Sequence, residues 1–102
     1  MRMMMKVQMD TEAAARAVAD GSLAQLIGKV WSLEPEAAYF GPDHGIRTAF
    51  IVFDLKDPSQ LPPITEPLFA KLHANIQIFP VMNREDLQKG LSQLGDGASP
   101  GT

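Results

Sequence analysis

An α+β fold is predicted for this chain: a four-stranded antiparallel sheet with its main helices gathered on one side. Three observations predict it. Ile46–Leu55 is the densest run of β-branched and aromatic residues, and it is short enough to be a strand. Strand-like runs also stand near the two ends, at Met3–Met9 and Asn75–Met82. Between the runs lie segments with helical spacing, broken by glycine or proline.

The elements follow in order. Met3, Met5, Val7 and Met9 alternate with Arg2, Met4, Lys6 and Gln8, which gives a first strand with one strongly apolar face. Asp10 or Thr11 caps a helix rich in alanine, with Glu12 in its first turn. Asp20-Gly21-Ser22 breaks that helix, and Ser22 is positioned to cap the next. Leu23, Leu26, Ile27, Val30 and Trp31 share one helical face, and Pro35 limits this segment to about Glu34. Ala37–Phe40 reads as a short strand and Gly41–Gly45 as a loop of turn formers, so a hairpin leads into the Ile46–Leu55 strand. Asp57–Gln60 stops that strand. A short proline-rich turn then precedes a helix from about Thr65 to His73. The fourth strand, Asn75–Met82, carries Pro80 and belongs at an edge. Asn83 caps a last helix whose Leu87, Leu91 and Leu94 form a narrow apolar stripe. Residues 1–94 make one domain, and 95–102 form a polar tail expected to be flexible.

This order is the split βαβ, or ferredoxin-like, βαββαβ arrangement with a C-terminal helix. Right-handed crossovers place the first and third strands in the middle and the second and fourth at the edges. The third strand is apolar on both faces: Ile51 and Phe53 on one, Phe50 and Val52 on the other. Helices on one side of the sheet leave the second face bare. The expected outcome is a homodimer that packs sheet to sheet, burying on the order of 800 Å² per subunit or more. The competing expectation is that the last helix covers the bare face with its leucines.

Pro35–Phe40, Gly45–Phe50, Phe53–Leu55, Glu66–Phe69, Pro80–Met82 and Glu85–Leu87 resemble a small family of uncharacterised bacterial proteins. That family is similar to the dimeric α+β barrel superfamily. The resemblance covers most of the chain from Asp20 to Leu91. The second half is also similar in layout to muconolactone isomerase, which implies fold only. The superfamily spans isomerases, cofactor-independent monooxygenases, haem-degrading enzymes and proteins without a known reaction, so fold analogy selects no function.

Composition narrows the classes. The chain has 102 residues, net charge −3, and nine basic residues scattered singly. No basic stripe suggests nucleic acid as a partner, although folding is able to gather such charges. Without cysteine there are no disulfides, thiol nucleophiles or thiolate metal sites. No run approaches the roughly 18 apolar residues of a membrane span, and the methionine-rich start is too short for a signal peptide. A cytoplasmic protein is expected, with no cofactor.

Few residues carry candidate chemistry. Arg47, near the start of the third strand, suits a carboxylate or enolate at the mouth of an apolar cavity. Glu66 is either its salt-bridge partner or a proton acceptor in the same pocket. His44, oriented by Asp43, is a candidate general base, against the simpler reading of an exposed loop histidine. His73 suits a helix C-terminus. Tyr39, Trp31 and Phe53 are candidate ligand-pocket residues, although a Trp on a helix face is usually core. Two functions follow: a homodimeric small-molecule-binding or structural domain, or a cofactor-independent isomerase or monooxygenase for a small apolar or aromatic acid. In the second, Arg47 holds the substrate and Glu66 or His44 moves a proton. The first is favoured, because no triad, dyad or metal set is recognisable.

Overall fold

The computed structural model describes residues 1–95; the tail expected over 95–102 lies, beyond Gly95, outside the described residues. The order is β1 (Arg2–Gln8), α1 (Thr11–Asp20), α2 (Ser22–Val30), β2 (Ala37–Asp43), β3 (Ile46–Asp54), α3 (Leu61–Leu72), β4 (Asn75–Pro80) and α4 (Arg84–Ser92). Short 3-10 turns stand at Trp31–Leu33 and Pro58–Gln60. The four strands form one sheet in the order β2-β3-β1-β4, antiparallel at every pairing. The protein is therefore α+β, with β1 and β3 in the middle.

Local chemistry explains the boundaries. The Asp10 carboxylate accepts the Ala13 N–H at 2.9 Å and starts α1. Gly21, at φ 82°, ends α1 and also stands in the cap position of α2. Ser22 thus falls inside α2 instead of capping it, and its amide is taken by the Asp20 carboxylate at 2.8 Å.

The expected five-residue loop Gly41–Gly45 is shorter than composition suggests. β2 runs through Gly41 and Pro42 to Asp43, leaving His44 and Gly45 as a two-residue turn with φ of 54° and 77°. Positive φ at both positions marks the turn whose twist suits a tight hairpin. Such a turn makes Asp43–Ile46 a hydrogen-bonded pair, and alternation then aims the nitrogen of Pro42 away from β3. Its missing N–H costs no sheet bond, because β2 is an edge. Pro80 behaves the same way on β4. The Val81 N–H donates to the Arg2 carbonyl at 3.1 Å, so the neighbouring Pro80 faces outward from β1. β4 ends at Pro80, two residues before the predicted limit.

Helix α3 starts at Leu61, earlier than expected. Pro62 and Pro63 occupy its first turn, where the N–H groups have no partner within the helix. The preceding turn is capped by Asp57, which accepts the Ser59 N–H at 3.0 Å.

The core lies between the sheet and α1–α3. Ala38, Ile51, Met5 and Ile78 form a row across all four strands on this face. Met3, Met5, Val7, Ile51 and Phe53 are buried against Ala14, Ala17, Leu26, Val30, Leu68 and Leu72 of the helices. The alanines keep α1 slim, and the flexible methionines fill the remaining space.

Candidate functional site

The other face of the sheet is open. Two apolar-rich rows cross its middle in register: Ala37, Val52, Met4 and Phe79, then Tyr39, Phe50, Lys6 and Gln77. Tyr39 is 71% exposed and Phe79 42% exposed. The face of β3 left uncovered is thus that of Phe50 and Val52, while Ile51 and Phe53 are sealed in the core.

Charged groups close both ends of this face. At one end, Arg2 binds Glu36 and Asp86. At the other, Lys6 reaches across β3, its Nζ 5.8 Å from the centroid of the Phe50 ring, and meets Asp43 at 2.7 Å. Asp43 also receives His44 Nδ1 at 2.9 Å. The Lys6 ammonium holds the Asp43 carboxyl below its ordinary value, with a smaller contribution from His44. Because the folded value is depressed, the stabilisation is fully present above the unfolded value, about 3.9. It is lost as pH falls through the folded value. Thermal melts of Lys6→Met and the parent chain are expected to differ at neutral pH and to begin converging only as pH falls below about 4.

Helix α4 leaves the sheet beside Arg2. Asn83 caps it in a reciprocal pair: the Asp86 N–H donates to Asn83 Oδ1 at 2.8 Å, and the Asn83 N–H donates to Asp86 Oδ2 at 3.1 Å. Every residue of α4 is exposed, Leu87 and Leu91 included, as is Leu94 just beyond it. The leucine stripe therefore does not cover the protomer's own sheet.

The residues singled out from the sequence are dispersed. Arg47 is exposed and borders a cleft of about 470 Å³ with Thr11, Phe40, Gly41, Pro42 and Gly45. Among the described residues it forms no ion pair. Glu66 is exposed on α3, and neither it nor His44 lines that cleft. His44 sits at the hairpin tip, its side chain 89% exposed. His73 caps the C-terminus of α3 in a left-handed conformation. Trp31 is half exposed and meets Phe40 edge-on at 6.4 Å between centroids. Phe53 belongs to the core and Tyr39 to the open face, so Tyr39, Trp31 and Phe53 do not line one pocket. Residues that share a face alternate along a strand, and Phe53 and Phe50, three apart, point opposite ways. Among the described residues no three His, Asp or Glu side chains converge as metal ligands, and no helix is long and apolar enough to cross a membrane.

Comparison with protein-family models, curated proteins and solved structures finds no match.

The Lys6–Asp43 pair was hidden in the sequence, because β1 and β2 are not neighbours and only a lysine stem spans the strand between them. The signal that was available is the even-numbered face of β1, on which Lys6 follows Met4.

Proposed function

We propose that the chain is a homodimeric domain of the ferredoxin-like, dimeric α+β barrel kind, joined through its open sheet faces. In this reading it binds a small molecule or serves a structural role. The observation that carries the reading is the uncovered apolar centre formed by Met4, Phe50, Val52, Tyr39 and Phe79. A contiguous apolar patch of this kind on a small protein marks an interaction surface. Its layout, apolar in the middle and ion-paired at both ends, matches the core-and-rim division of protein interfaces. The strand order β2-β3-β1-β4 and the helices on one side support the split βαβ reading.

In this reading the exposed stripe of α4 also packs on the partner. Arg2 belongs to the open face and holds Asp86 of α4, and Leu87 and Leu91 on that helix are exposed. A nine-residue helix has little stability alone in water, and packing on the second subunit would supply it. Sedimentation equilibrium is expected to find a dimer at micromolar concentration. A monomer there overturns the reading.

The second reading is a cofactor-independent isomerase or monooxygenase in which Arg47 holds a carboxylate substrate. Arg47 beside Phe40 favours it, since a guanidinium with no ion-pair partner among the described residues stands next to an apolar surface. The positions of Glu66 and His44 outside that cleft weigh against a shared proton-transfer site.

A further inference from the structure

The helical layer carries a second hollow, on the side of the molecule away from the open sheet face. It also encloses about 470 Å³, within the range of small-ligand sites. Helix α1 lines it with Ala13, Arg16, Ala17 and Asp20, and α2 lines it with Ser22, Gln25, Leu26 and Lys29. Each set is spaced as one face over two helical turns. Helix α3 contributes Pro67 and Lys71, one turn apart.

The sequence explains why a hollow exists there. Alanines at 13 and 17 leave α1 without bulk on the face it turns toward its neighbours. Opposite them α3 presents the compact ring of Pro67, inside the helix. The floor is therefore apolar: Ala13, Ala17, Leu26 and Pro67. The rim is cationic. Arg16, Lys29 and Lys71 come from three different helices, and none is ion-paired among the described residues. The single acid on the rim, Asp20, accepts the Ser22 amide at 2.8 Å; its hydrogen bonds to Ser22 and, to a smaller degree, nearby Lys71 hold its carboxyl below the ordinary value, so it stays charged and offsets one of the three cations.

The charge is segregated. The chain has twelve acidic and nine basic residues, yet this hollow gathers three of the basic ones and one acid. An acidic protein with a net positive hollow concentrates small anions there by its local field. Lysine and arginine on three sides of an apolar floor match a ligand with an oxyanion at one end and a compact hydrophobic body at the other.

We propose that the α1–α2–α3 hollow is a binding site for a small organic oxyanion, a carboxylate or phosphomonoester on an apolar body of about one ring. The body lies on Ala13, Ala17, Leu26 and Pro67. The oxyanion is held by Arg16, Lys29 and Lys71, with Ser22 and Gln25 as neutral polar neighbours. The site goes beyond the dimer reading and does not depend on it.

The test is an amide NMR titration of the full chain with benzoate, phenyl phosphate and inorganic phosphate as probes. The expected result is that benzoate and phenyl phosphate shift amides of Ala13–Asp20, Ser22–Lys29 and Leu68–Lys71. Inorganic phosphate should bind more weakly than phenyl phosphate, because it leaves the floor uncovered. Arg16→Ala combined with Lys71→Ala should weaken phenyl phosphate binding about tenfold or more. Both residues are exposed, so the melting curve should hardly move. Lys56→Ala, which removes an exposed cation that does not line the hollow, should leave the affinity unchanged. Three results overturn the proposal: no organic probe binding more tightly than about 1 mM, equal binding of phenyl and inorganic phosphate, or shifts that cluster at Arg47 or on the sheet. Which carboxylate and which phosphate the site prefers separates the two sources of the oxyanion.

Discussion

Phe53→Ala is expected to remove a large fraction of the folding stability. Phe53 is fully buried in the middle of the sheet–helix core, in register with Met3. Truncating a buried phenylalanine removes its transfer free energy and leaves a cavity that the surroundings fill only in part, at about 3–5 kcal/mol. A domain of this size has about 5–15 kcal/mol of stability in all. Denaturant titration followed by circular dichroism should show the midpoint fall by a large fraction, with an m-value that is unchanged if any folded state remains. A shift under about 1 kcal/mol would mean that the site collapses around the missing ring or that the ring packs less tightly than its burial indicates.

Phe50→Glu should do the opposite: keep the fold and break the assembly. Phe50 lies three residues away on the same strand but on the open face, only partly buried in the protomer. A carboxylate there is hydrated in a monomer and stripped of water in a sheet-to-sheet dimer. Lys6 lies across the strand from position 50 but is already engaged by Asp43, so the added carboxylates are buried without cations of their own, at a cost of about 3 kcal/mol or more. That corresponds to roughly a hundredfold or greater weakening of the dimer. Sedimentation should therefore detect monomers, while the far-ultraviolet spectrum stays that of the parent chain. If the variant remains as dimeric as the parent, the interface lies elsewhere, and the α4 stripe becomes the first surface to mutate. The two substitutions form a matched pair, since each predicts the outcome that the other must not give.

Much of the secondary structure was legible because its signals are local. The alternation in β1 and the Asp10 and Asn83 caps depend on residues within a few positions of one another. The Gly41-Pro42-Asp43 stretch misled because turn formers in sequence are also tolerated on the outward-facing side of an edge strand, and edge position is a tertiary property. Pro62 and Pro63 misled similarly: they read as an irregular turn, yet a helix start accepts both. The site was less legible. A strand apolar on both faces does not announce which side the helices take, so the sequence groups Phe53 with Tyr39 although the sheet separates them. Chemistry alone pairs Glu66 with Arg47, and no spacing rule connects a carboxylate on α3 to an arginine on β3, the strand before it. The gathering of Arg16, Lys29 and Lys71 was equally invisible, because their helices meet only in the folded layer.

The outward prolines of β2 and β4 set a limit on how this chain can polymerise. A sheet grows into a fibre by adding strands to its rims, and each added strand needs donors to grip. Here both rims lack one, at Pro42 and at Pro80. Two copies can still meet flat against flat, and that contact, once made, uses up the surface that made it. Edge growth into an endless ribbon is in this way disfavoured, while the proposed closed pair is left open to the apolar sheet.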